Sequence, residues 1–143
     1  MATLSVNISE TITINGQERN ASNTIDITGI TQLNQRIVNV DSASENSLVL
    51  FDTAEAAGQF ADGSLDYLRI TNLDSTNFVN IRFTAGNQEY FVKLAAGDSH
   101  VLFESVMQAD NDAGAASVGL AAMDSIKAQA DSADCLVELF IAA

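Results

Sequence analysis

Alternation of apolar and polar residues is the feature of this sequence that most restricts its fold. Leu4, Val6 and Ile8 lie on one face of an extended segment, and Ser5 and Asn7 lie on the other. A period of two residues is typical of a β-strand with one buried face. The same alternation returns in segments 24–28, 36–40, 79–83, 90–94, 126–130 and 135–141. We therefore expect an all-β fold.

Turn-forming residues separate these segments. Asn15-Gly16 predicts a type I′ hairpin turn, and Ala85-Gly86-Asn87 and Ala96-Gly97-Asp98 predict further turns. Short strands with frequent turns are typical of an antiparallel sandwich or barrel. We predict a single antiparallel β-sandwich domain, jelly-roll-like, over residues 1–143. Residues 1–14 are then either an ordinary first strand or an extended N-terminal arm.

Two segments lack a clear period. Residues 53–63 are rich in Ala and Gly and predict a loop or a single helical turn. Residues 115–123 are rich in Ala but contain Gly119, which predicts a loop or a weak strand rather than a helix.

Strand parity also predicts the core. The side chains expected to face inward share parity in the most regular strands: Val79, Ile81, Phe83, Tyr90, Val92, Leu94, Val137 and Leu139. The strand at 135–141 is apolar on both faces, because Leu136 and Phe140 alternate with the inward residues. Such a strand is either central in its sheet or covered by another subunit.

Charge and composition restrict the class of protein. The chain carries 19 acidic and 6 basic residues, for a net charge of -13. An acidic surface repels phosphate backbones, so we expect no nucleic-acid partner. The apolar runs are only a few residues long, so we expect no membrane-spanning helix.

Few residues are candidates for catalysis or metal binding. His100 is the only histidine, and we interpret it as a residue at the start of a strand, on a surface or interface. Cys135 precedes an apolar strand and has no basic neighbours, so a buried, unreactive thiol is expected. The run Asp110 to Gly114 has oxygen ligands at alternate positions but fails the EF-hand pattern, since position twelve is Ala121. We predict no enzyme activity, no cofactor and no metal site.

Three strand segments and a closing pair resemble a known class of proteins. They are Tyr67–Leu73, Phe78–Phe83, Tyr90–Phe103, and Ile126–Ala130 with Leu136–Ala142. Together they resemble the small β-sandwich virion proteins of tailed bacteriophages, in particular capsid decoration (cement) proteins. The resemblance covers residues 66–142 and consists of a strand pattern with a Gly-Asp turn.

The resemblance implies a role without enzymatic activity. A decoration protein is made in the host cytoplasm, binds the major capsid protein on the outer head surface as a homotrimer, and stabilises the shell. We expect the contacts with the capsid or a neighbouring subunit to involve Leu4, Val6 and Ile8 in the first strand, and Leu136 and Phe140 in the last. The alternatives are a neck, tail or fibre-base jelly-roll protein, or a carbohydrate-binding or adhesive module.

Overall fold

The computed structural model describes residues 1–53, 58–104, 106–107 and 121–143, with the backbone alone at Met107. Every regular element in these ranges is a β-strand, as predicted. The chain divides into two compact units, Met1–Gln32 and Leu33–Ala143.

The strands are, in chain order, β1 (Ala2–Ile14), β2 (Gln17–Ile30), β3 (Leu33–Val40), β4 (Asn46–Asp52), β5 (Gln59–Ala61), β6 (Tyr67–Asn72), β7 (Val79–Ala85), β8 (Gln88–Leu94), β9 (Ser99–Leu102), β10 (Val106–Met107), β11 (Ala121–Ala122), β12 (Ser125–Ala130) and β13 (Cys135–Ala142).

The second unit is a β-sandwich. One sheet has the order β3-β13-β6-β9, and the other has the order β5-β4-β12-β7-β8. All pairings in these two sheets are antiparallel except that of β4 with the short edge strand β5. Strands β10 and β11 form a separate two-stranded pair.

Strand pairing in the sandwich is nested. In chain order, β3 and β13 are the first and last strands of the unit, and they pair with each other. The next strand in from each end, β4 and β12, also pair. Further in, β6 pairs with β9, and β7 pairs with β8. Each of these four pairs is antiparallel, and successive pairs lie in alternate sheets. This nesting is compatible with a jelly-roll-like path of the chain.

The core lies between the two sheets. Five of the predicted core residues, Val79, Ile81, Phe83, Val137 and Leu139, are fully buried, and Leu94 is almost so. Tyr90 and Val92 face the same way but are only half-buried. The reason is that β8 is the edge strand of its sheet, so its core-facing side chains are covered from one side only.

The first unit is a two-stranded antiparallel ribbon formed by β1 and β2. Asn15 and Gly16 both have positive φ, of 52° and 75°, which is the backbone of the predicted type I′ turn. The turn brings residues 17–30 back along the first strand. The first unit therefore ends at residue 32. Residues 1–14, expected as a first strand or an extended arm, form one half of a hairpin. β1 and β2 form a two-stranded sheet of their own.

Of the two segments without a clear period, 53–63 differs from its prediction, whereas the described end of 115–123 agrees with the weak-strand alternative. Within 53–63, residues 59–61 form the edge strand β5, and residues 54–57 lie outside the described part. Of 115–123, the described residues include the short strand β11. The Asp110–Gly114 run lies outside the described residues.

Candidate interaction surfaces

The His100 side chain lies on the inner face of the edge strand β9, where it is half-buried. His100 is opposite Ile70 in the β6–β9 pair, so its side chain shares the inner face with that buried residue. Its ring centroid is 5.5 Å from that of Phe83. Burial lowers the pKa of His100, and Nε2 has no hydrogen-bond partner among the described residues. The ring behaves as a neutral part of the core.

Cys135 is a buried free thiol, as predicted. Burial raises its pKa, and the negative charges of Asp74, Asp134 and Asp131 raise it further. A thiolate is therefore disfavoured at this position. Among the described residues, no group of three or more His, Cys, Asp or Glu side chains is placed to hold a metal ion. In the same ranges no helix is long and apolar enough to cross a membrane.

The sheet containing β13 carries several exposed apolar side chains on its outer face. Leu136 and Phe140 both point outward on this strand, and Leu136 is 50% exposed while Phe140 is half-buried. The neighbouring strand β3 adds Leu33 and Ile37, which are 62% and 61% exposed. The register places Asn39 opposite Leu136. Ile37, two residues before Asn39, is therefore the diagonal neighbour of Leu136 on the same face. We call these four residues, Leu33, Ile37, Leu136 and Phe140, the sheet patch.

Phe140, at one end of the sheet patch, packs in an aromatic cluster. The Tyr67 ring meets Phe140 edge-on at 5.9 Å between centroids, and it meets Phe103 at 5.4 Å. Edge-to-face packing of this kind adds stability beyond the area buried. Phe140 is therefore a positioned side chain, whereas Leu136 projects freely into solvent.

The charged group within the sheet patch is already paired. Glu138 lies between Leu136 and Phe140 on the outer face of β13, and its Oε2 is 2.8 Å from Nη2 of Arg69. Gln35 Nε2 donates to Glu138 Oε1 at 3.2 Å. The hydrogen bond from Arg69, and next that from Gln35, lowers the pKa of Glu138. Because its partners are in place, a second protein can cover the patch without stranding an unpaired charge.

The outer face of the other sheet is more polar. Arg82 donates to Glu45 and, over 3.1 Å, to Glu89, so one cation joins two carboxylates. Lys93 Nζ lies 3.9 Å from the centre of the Phe78 ring. Phe91 is the one large aromatic side chain exposed on β8, at 61%. Its register neighbour is Arg82, so it is not part of an apolar cluster.

The predicted contact residues thus belong to different units of the chain. Leu136 and Phe140 lie on the sheet patch, while Leu4, Val6 and Ile8 lie on one face of the ribbon. In the ribbon, Leu4 and Val6 are half-buried, and Ile8 is 36% exposed.

Sequence reasoning missed two members of the sheet patch, Leu33 and Ile37. Arg36, Asn34 and Gln35 interrupt the apolar pattern of β3, so the strand is predicted only from residue 36. The signal that was present is the spacing of four residues between Leu33 and Ile37, which puts both on one face of a strand.

Comparisons with protein-family models, with curated proteins and with solved structures find no match to this chain. Its resemblance to phage virion proteins therefore rests on the strand pattern alone.

Proposed function

We propose that this protein is a virion structural protein without enzymatic activity, namely a capsid decoration protein of a tailed bacteriophage. It binds the major capsid protein on the outer surface of the head, associates with itself as a homotrimer and stabilises the shell. The observation that supports this most is the sheet patch. It is an exposed apolar surface on a small acidic β-sandwich, and the carboxylate within it, Glu138, is already paired with Arg69.

The chemistry of the sheet patch suits a contact with protein. Clustered exposed aliphatic side chains are uncommon on surfaces that stay in water, and they often mark interaction sites. Leu33, Ile37 and Leu136 are each at least half exposed. Burying them releases water from apolar surface, which is the main favourable contribution to association.

Net charge explains how such a protein remains soluble before it docks. At -13, the chains repel one another over most of their surface. Repulsion limits disordered aggregation through the apolar patch. A decoration protein also binds as many copies on one shell, so modest single contacts add up to strong stabilisation.

The proposal is tested on purified virions. The chain should be present in a fixed ratio to the major capsid protein, and it should lie on the head rather than the tail. Its absence from virions overturns the proposal. A location on the neck, tail or fibre base overturns decoration in favour of the alternative structural role.

A binding experiment then tests the sheet patch. Heads stripped of this protein are mixed with the wild-type chain, with Leu136→Asp or with Phe91→Asp as a matched control. Both positions are exposed and lie on outer faces of the sandwich, but only Leu136 belongs to the patch. Leu136→Asp should weaken binding by at least about tenfold, while Phe91→Asp should bind like wild type. Equal binding by the two variants contradicts this assignment of the contact surface.

A further inference from the structure

The ribbon formed by β1 and β2 has one apolar and one polar face. Opposite residues in an antiparallel pair share a face, and here Leu4 lies opposite Ile27 and Val6 lies opposite Ile25. The remaining aliphatic residues of that face, toward the turn, are Ile8, Ile12 and Ile14. The other face contains only Ser, Thr, Asn, Asp and Glu side chains. One of its cross-strand contacts joins Asn7 Nδ2 to Thr24 Oγ1 at 2.9 Å.

A ribbon of this construction requires a cover. Two strands have no second layer of their own, and an isolated hairpin is at best marginally stable in water. Ile12 and Ile14 are each 53% exposed, although they belong to the apolar face. We call the aliphatic side, with Leu4, Val6, Ile8, Ile12, Ile14, Ile25 and Ile27, the ribbon face.

Two charges on the ribbon face indicate what covers it. Glu10 lies opposite Ala21, and Arg19 lies opposite Ile12, so the two charged residues are diagonal neighbours on this face. The face is therefore neutral overall, although the protein carries a net charge of -13. A fitting partner presents aliphatic side chains with one cation and one anion near the middle.

The same face of another copy has this composition. We infer that the ribbon face is a self-association surface, which packs against the ribbon faces of other copies of this chain. Glu10 of one copy then lies near Arg19 of another, and the aliphatic residues on either side become buried. Because the ribbon face is neutral, two such acidic chains can meet there without adding like-charge repulsion at the contact. The inference rests on the self-association in the proposed function and names the surface that carries it, and it is measured on the isolated protein without a capsid.

The first experiment compares two adjacent positions on opposite faces. The mass of the full-length chain is measured by sedimentation over a range of concentrations for wild type, Ile12→Glu and Thr11→Glu. Both changes add one negative charge to the same strand, but only Ile12 lies on the ribbon face. Ile12→Glu should raise the dissociation constant by about a hundredfold, and Thr11→Glu should leave it close to that of wild type.

The second experiment tests the pairing of charges between copies. Glu10→Arg leaves two cations on each ribbon face, and Arg19→Glu leaves two anions. Each variant alone should be weakened in association, because like charges meet. An equimolar mixture of the two should recover association as mixed oligomers, detected by a tag on one variant. A contact confined to a single chain cannot produce that recovery.

Three results overturn the inference. They are a wild-type chain that remains monomeric at every concentration, equal association of Ile12→Glu and Thr11→Glu, and a mixture of the charge variants that behaves like its separate components. Circular dichroism of each variant confirms that the sandwich is folded. Capsid binding is not a readout here, so a failure of capsid decoration leaves these results unaffected, whereas a monomeric wild type overturns self-association itself.

Discussion

Phe83 and Tyr90 stack in parallel across two neighbouring strands, with ring centroids 4.6 Å apart and planes 7° from parallel. They are register partners in the β7–β8 pair. Phe83 is fully buried and also meets the His100 ring from the opposite sheet. The stack therefore joins the edge strand of one sheet to the centre of the core.

Replacing Phe83 should be among the most costly changes in the sandwich. Phe83→Ala removes a fully buried ring and leaves a cavity between the sheets, so the free energy of unfolding should fall by about 3–5 kcal/mol. Urea unfolding followed by circular dichroism measures this loss. Phe91→Ala is the matched control, because Phe91 is mostly exposed on the next strand. A loss below about 1 kcal/mol for Phe83→Ala would contradict its place in the core.

Replacing Asn72 should also lower the free energy of unfolding strongly, because its buried amide makes several hydrogen bonds. Its side chain is fully buried, and Nδ2 lies within 2.9–3.2 Å of the backbone oxygens of Asn77, Leu94 and Ala95. Its Oδ1 accepts from the backbone N–H of Asp74. Asn72→Leu keeps the branching of the side chain but removes all of these hydrogen bonds, so we expect a loss of at least about 2 kcal/mol in urea unfolding. A neutral effect would show that water replaces the amide.

Cys135 should react slowly in the folded protein. It is fully buried, and burial and neighbouring carboxylates raise its pKa, so little thiolate is available. Labelling with a thiol reagent at mildly alkaline pH should be slow under native conditions and fast in denaturant. Labelling at similar rates in both conditions would be inconsistent with burial.

His100 should make stability depend on pH in a defined window. Burial lowers its pKa in the folded protein below the ordinary value of about 6.5. As pH falls through that ordinary value, the unfolded chain takes up a proton that the folded chain resists, so stability falls. The loss is complete once pH lies below the lowered pKa of the folded state.

The variant His100→Gln isolates this effect. The carboxylates titrate in both proteins, so the difference in unfolding free energy between them cancels their contribution. Wild type should lose more stability than His100→Gln between about pH 7.5 and about pH 5.5. Parallel pH profiles for the two proteins would show that His100 is solvated.

Local alternation was sufficient to predict the central strands. Every second residue of β7 is apolar, so one side of the strand is apolar and faces the core. The residues on that side are Val79, Ile81 and Phe83, and all three are buried. The return strand of the ribbon was recognised only at 24–28. Residues 17–23 are polar on both faces, so no alternation marks them as a strand; their pairing comes from the turn at Asn15-Gly16.

The surfaces were less predictable than the core, because they depend on register between distant strands. Leu136 was identified as an outward apolar residue from its own strand. That Ile37 lies diagonal to it follows only from the pairing of β13 with β3, which no local pattern encodes. The pairing of Glu138 with Arg69 and Gln35 depends on the same two neighbours of β13.

The position of β13 also has a consequence for the order in which the protein can fold. This strand lies inside its sheet, yet it comes after all the other strands of the described residues, and its partners on β3 lie roughly a hundred positions earlier. A ribosome therefore releases β3, β6 and β9 before the strand that joins β3 to β6 exists. Until then their edges are open to pairing with other nascent chains. Closure of the sandwich therefore waits for β13 and involves a high proportion of distant contacts, which favours slow folding.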